Sequence, residues 1–289
     1  MQSNNFSTNK EVAPARGSRK SLNYKENNNS ISFGTAIKEA ELQMYKKNYT
    51  KALEIFASTI NSIETDTGEL IMCRDDSVYE YHSFRNPLEE VLYREMAKPQ
   101  RILRPTTESF DRLYLDYGFL LVELKRLDEA IIALNKAIRI NPIDAEAILE
   151  LAEINKLNSD WPKYLDLTTH CLSLVYTRRH MGRCYRNVGY YFIEQQKYNE
   201  AMAFYYISMI YDQQSKMAQS ELMYIQQITG KPTPVPSSDD VALIFERNGI
   251  RFGANPLVLN IAARLGKSAE QQGDHEAARF FFSILKDLT

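Results

Sequence analysis

The residues able to act as ligands, nucleophiles or proton carriers are few and scattered. Four histidines (His82, His170, His180, His275) and three cysteines (Cys73, Cys171, Cys184) are spread over 289 residues. His180 and Cys184 stand four apart, on one face of any helix that carries both, and His170 directly precedes Cys171. A structural zinc site needs three or four closely paired ligands, and neither Cys-x2-Cys nor His-Glu-x2-His occurs. The sequence therefore predicts no metal and no cofactor. Cys184 lies between Arg183 and Arg186. Neighbouring cations favour a reactive thiolate, while a buried structural thiol accounts for the same residue without reactivity. Gly253-Ala254-Asn255-Pro256 reads as a turn and not as a phosphate-binding loop. No catalytic constellation emerges, and the expectation is a protein that is not an enzyme. What remains is binding chemistry. A guanidinium pairs with carboxylate or phosphate through two parallel bonds, and an asparagine can hydrogen-bond a peptide backbone, so Arg183, Arg186 and Asn187 are candidates for a ligand contact.

Those side chains must be held by helices. Tyr114-x2-Tyr117-Gly118-x2-Leu121, followed by Ala130-x3-Leu134, Ala137 and Pro142, describes two antiparallel helices. The small residues let the pair close, and the proline ends the second helix. Five places put a bulky residue three positions before the small residue of a second helix: Tyr49 with Ala52, Leu127 with Ala130, Trp161 with Tyr164, Tyr198 with Ala201, and His275 with Ala278. The third carries a tyrosine where a small residue belongs, so that unit is divergent. The intervals 127 to 161 and 161 to 198 are 34 and 37 residues, and the flanking ones, 49 to 127 and 198 to 275, are 78 and 77. Each long interval leaves room for one irregular unit, near 66–105 and 213–250.

This spacing resembles the tetratricopeptide repeat, whose period is about 34 residues, and the resemblance covers most of residues 35–289. It implies an all-α, right-handed solenoid of stacked antiparallel helix pairs, because one pair cannot bury its own apolar face. It also implies a protein- or peptide-binding scaffold or adaptor whose first helices line a concave groove. Helical spacing away from the core stripe then selects Arg112, Leu115, Asp116 and Phe119 in one unit, and Glu146, Leu149, Glu150 and Glu153 in the next. The following unit offers Arg183, Arg186, Asn187 and Tyr190, and the last offers Asn260, Ala263, Arg264 and Lys267. Arg112, Asp116, Phe119, Glu150, Arg183, Arg186, Asn187 and Tyr190 are the candidate peptide contacts. Two readings of the charges stand: a pocket for an acidic peptide or free C-terminal carboxylate, or Glu146, Glu150 and Glu153 pairing across the helix interface with Arg183 and Arg186. Family members that grip chaperone tails do so with a Lys, Asn and Arg clamp. The early units here offer Ile37, Lys38, Glu41, Leu115, Asp116 and Phe119 instead, which disfavours that ligand. Single-stranded RNA is a further alternative, opposed by net charge and by groove residues that differ in every unit.

The two long intervals read differently. In the first, Glu69 to Cys73 and Val78 to His82 flank Arg74-Asp75-Asp76-Ser77, which suggests a small β-hairpin near 69–82. Asn86-Pro87 then opens a helix to about Ala97. In the second, a helix over 215–229 capped by Gly230 leads to an extended loop, 231–238, and a helix from Asp239 to about Asn248. The loop is either functional or a tolerated insertion. At the C-terminus, register places Phe282 inside the last pair, while Phe280 and Phe281 lie on an uncapped end that could form an oligomer or dock a partner, or fold back over their own pair.

Composition sets the outer bounds. Hydrophobic residues make up 44% and charged residues 25%, within the globular range, and the net charge of −2 gives no basis for duplex DNA or an anionic membrane surface as partner. No apolar run approaches the roughly 18–20 residues of a membrane span. Residues 1–33 are rich in Asn and Ser and slightly basic, with no apolar core for a signal peptide, and read as a disordered tail before a repeat domain over 34–289. Three widely spaced cysteines make no disulfide framework, which suits a reducing, cytoplasmic setting.

Overall fold

The structure is a computed structural model that describes residues 33–65 and 73–289. All but the last residue of the expected tail, 1–33, lies outside them. Five helix pairs carry the architecture: α1 (Phe33–Tyr45) with α2 (Tyr49–Ile63), α4 (Phe110–Glu123) with α5 (Leu127–Ile140), α6 (Ala145–Leu157) with α7 (Trp161–Leu174), α8 (Arg178–Glu194) with α9 (Tyr198–Tyr211), and α12 (Pro256–Gln271) with α13 (His275–Leu288). Each bulky residue singled out above is the first residue of a second helix. The partner three positions on, Ala52, Ala130, Tyr164, Ala201 or Ala278, is buried in every case.

The turns are alike too. Lys47, Lys125, Ser159, Gln196 and Gly273, each two residues before the second helix, take positive φ values of 58°, 61°, 58°, 57° and 74°. A left-handed residue there reverses the chain within one short turn. Only the last is the glycine that this conformation favours, so packing of the two helices holds the other four. That packing is close. A Cβ on Gly118 would fall 2.8 Å from Leu134, and one on Gly266 would fall 2.6 Å from Phe282. Phe282 thus sits inside the last pair, as its register implies.

Along the array each second helix packs on the next first helix: α2 on α4, α5 on α6, α7 on α8, and α9 on α10 (Lys216–Thr229). The first helices α1, α4, α6, α8 and α10 also touch in succession and so form one wall. Between the walls lie Phe56, Phe110, Tyr114, Tyr164, Tyr185, Phe204 and Tyr205, all fully buried. Burying such rings supplies the main drive for stacking.

The first long interval holds β1 (Tyr79–His82), α3 (Pro87–Ala97) and β2 (Ile102–Pro105). β1, the second arm of the expected hairpin, pairs with β2 in parallel, Tyr79 opposite Ile102; the first arm, 69–73, lies outside the described residues apart from Cys73. Parallel strands need a crossover, and α3 provides it. Asp76, expected in the hairpin turn, accepts hydrogen bonds from the backbone of Val78 and Tyr79, both at 2.7 Å, just ahead of β1. α3 starts at Pro87 behind Asn86, whose side chain accepts from the amides of Leu88 and Glu89, and Lys98 closes it in a left-handed cap. The second interval holds α10, capped by Gly230, and α11 (Ser238–Arg247), joined by an extended stretch.

The last pair departs from expectation. Apart from α13, the main neighbour of α12 is α3 and not α10, and Arg264 pairs with Glu95. Arg178 donates to the carbonyls of Tyr211 at 3.2 Å and Asp287 at 3.1 Å, which ties α8 to the end of α13. Asn260, Ala263, Arg264 and Lys267 therefore do not continue the wall of first helices. Phe281 is only 4% exposed within its own chain, so it is not on an open end, and Phe280 is partly exposed with its ring 5.1 Å from that of Phe281. The outer face of α13 carries Glu276, Arg279, Ser283, Lys286 and Asp287, while Ala278, Phe281, Ile284 and Leu288 are buried.

Candidate binding groove

The wall of first helices encloses a cavity of about 500 Å³ between α1, α4, α6 and the start of α8. Leu115 and Met44 line its floor, and Phe119 stands in it 40% exposed, although the rest of α4 is largely buried. Around this apolar strip the walls carry Glu41, Asp116, Glu146 and Glu150 against Arg112 and Arg179.

One guanidinium serves three of those acids. Arg112 donates from Nε to Asp116 at 2.9 Å, one turn along α4. Its other nitrogens lie 3.7 Å from Glu41 on α1 and 3.6 Å from Glu146 on α6, beyond hydrogen-bond reach. Arg179, mostly exposed, comes no closer to Glu146 than 3.8 Å. Burial pushes the Asp116 carboxyl up to about 7; Arg112 pulls it down and Glu41, hydrogen-bonded to it, pushes it up again. The His180 imidazole, beside Glu146 and between arginines, is carried down to about 4, chiefly by burial.

The neighbouring unit is occupied by its own pairs. Arg183 donates to Glu150 at 2.8 Å and to the carbonyl of Leu149 at 3.4 Å. Arg186 turns the other way, to Asp212 at the end of α9, at 3.1 Å. Glu153 pairs with Lys156, whose ammonium lies 5.0 Å from the centre of the Tyr190 ring. Asn187 has a buried Nδ2 with no hydrogen-bond partner in the structure. Arg183 and Arg186 thus do not converge on a single point where a carboxylate could bridge them. Of the two readings of these charges, cross-helix pairing describes Arg183 with Glu150, while Glu146 belongs to Arg112 and Arg179. Cys184 is fully buried, and burial raises the thiol of its neighbour Cys171 well above the ordinary range. That is the setting of a structural cysteine.

A second charged group was not visible in the sequence because its members come from three separate segments. Glu89 on α3, Asp111 on α4 and Asp144 before α6 are all buried around Arg85. Arg85 reaches Asp144 at 2.6 Å and lies 3.8 Å from Asp111, and its backbone amide donates to Glu89 at 2.8 Å. Asn141 and the Tyr176 hydroxyl complete the shell of Glu89 at 3.0 and 2.8 Å. Burial raises the Asp144 carboxyl to about 6 against the pull of Arg85. This network fastens the inserted helix to the array and, through Asp111, fixes the start of the helix that carries Arg112. Among the described residues, no group of three or more His, Cys, Asp and Glu is arranged to hold a metal ion. No described helix is long and apolar enough to cross a membrane.

Helix pairs stacked in register, with their first helices lining an open trough, define a helical-repeat interaction fold. The family model of the tetratricopeptide repeat matches residues 111–154, which span α4, α5 and most of α6. That segment is a tetratricopeptide repeat, and it supplies Arg112, Leu115, Asp116, Phe119, Glu146 and Glu150 to the groove. No curated protein matches the chain.

Proposed function

We propose that this chain is a non-catalytic scaffold that holds a segment of another protein in the trough lined by α1, α4, α6 and α8. The observation that carries the reading is Phe119, a large apolar ring left partly exposed at the centre of a charged trough in the segment that is a tetratricopeptide repeat. An apolar residue ringed by polar walls is the usual anatomy of a contact surface. Three buried, unpaired cysteines support a reducing compartment such as the cytoplasm. The acid-rich walls repel a phosphate backbone, which counts against RNA.

The test is photo-crosslinking in cells from a reactive side chain placed at Phe119, compared with one at Ile132, which is exposed on the second helix α5. A discrete protein captured from Phe119 and not from Ile132 supports the reading. Equal capture from both positions, or none from Phe119, refutes it.

A further inference from the structure

The trough has room for a ligand, and its lining holds fewer cations than carboxylates. Three carboxylates from three successive first helices (Glu41, Asp116, Glu146) converge on Arg112, and only Asp116 is within hydrogen-bond distance of it. The contacts of Glu41 and Glu146 with arginine, at 3.6 to 3.8 Å, are longer than hydrogen bonds, so both carboxylates can accept a closer one from a donor entering the groove. Glu150, the fourth carboxylate of the cavity, is already neutralised by Arg183, and Glu153 by Lys156. The surplus is therefore local to the α1–α4–α6 junction. Asp116 is 7% exposed there and shares its one guanidinium with Glu41 and Glu146, and a buried carboxylate that shares its cation gains more from a second one than an exposed carboxylate would. Within the same cavity Leu115, Phe119 and Met44 present apolar surface. The charge that complements this surface is positive, and the shape that complements it is a bulky apolar side chain next to the charge.

We infer that the trough takes a basic peptide segment in which a lysine or arginine sits among Glu41, Asp116 and Glu146 while a neighbouring apolar side chain packs on Phe119. This deepens the scaffold reading and rests on it. It differs from the acidic ligand expected from Arg183 and Arg186, which pair with Glu150 and Asp212. Arg179, exposed and only 3.8 Å from Glu146, is the cation that an incoming guanidinium displaces.

The probe is an array of short synthetic peptides, each pairing Lys or Arg with Phe or Leu, alongside the same peptides with Glu for the basic residue or Ser for the apolar one. Binding to the full chain is read by fluorescence anisotropy at low and high salt. The basic–apolar peptides are expected to bind about tenfold tighter than either replacement, with the charge-dependent part fading as salt rises. Glu41→Gln combined with Glu146→Gln is expected to remove about tenfold of that affinity, with helical content unchanged because both side chains are partly exposed. Phe119→Ser is expected to abolish the preference for Phe and Leu. Preference for the Glu peptides, or unchanged affinity in the double variant, overturns the basic ligand while leaving the scaffold reading intact. Failure of every peptide overturns the inference, and only if crosslinking from Phe119 also fails does the scaffold reading fall with it.

Discussion

Replacing Asp116 with asparagine tests the electrostatic account of the groove without any ligand. An ordinary aspartate titrates near 3.8; this one is pushed up to about 7 in the folded chain. Between those values the folded state holds a proton that the unfolded state has released, so stability falls as pH rises through that window. The full difference, at 1.36 kcal/mol per pH unit, is about 4 kcal/mol once Asp116 is ionised. Glu41 shares the site, so part of that cost belongs to the pair, and about 2 kcal/mol is expected from the single variant. Asparagine keeps the shape of the protonated side chain and cannot ionise. Urea unfolding of the two proteins from about pH 4.5 to about pH 8 provides the assay. The difference Asp116→Asn minus parent should be near zero at the acid end and should grow to about 2 kcal/mol in favour of the variant at the alkaline end. Subtracting the two curves cancels His180, whose lowered value gives the opposite slope below about 6.5, and Asp144, whose raised value gives the same slope. Parallel curves, or a variant less stable than its parent at pH 8, would show that Arg112 satisfies Asp116 and that the groove has no surplus charge.

Two other substitutions probe the frame around the groove. Arg85→Met leaves Glu89, Asp111 and Asp144 buried without their cation and should cost about 3–5 kcal/mol in denaturant unfolding; a loss below about 1 kcal/mol would mean that the inserted helix is held by its apolar contacts alone. Gly118→Ala drives a methyl to 2.8 Å from Leu134 and should cost about 1–3 kcal/mol, whereas Gly34→Ala, with nothing within 4 Å, should be neutral or slightly stabilising; equal effects would show that α4 and α5 can separate freely.

The sequence by itself determined the repeating unit, and the reason is local. A second helix can start only where the chain has reversed and its first turn meets the preceding helix, so Tyr49, Leu127, Trp161, Tyr198 and His275 mark that step one by one. Gly118 with Leu134 and Gly266 with Phe282 are legible for the same cause, since closure of one helix pair depends on residues that lie close along the chain. The helices 87–97, 216–229 and 238–247 were likewise legible from their caps. Tertiary structure alone decided what joins distant segments. β1 pairs with β2 in parallel because α3 carries the chain across between them. The last helix pair lies on α3 through α12 instead of extending the array, a pairing of distant segments that no local pattern reveals. The groove's character was decided in the same way. The sequence placed Arg112, Asp116, Phe119 and Glu150 on inward-facing positions but could not say which acid meets which base. That choice depends on side-chain reach across three helices.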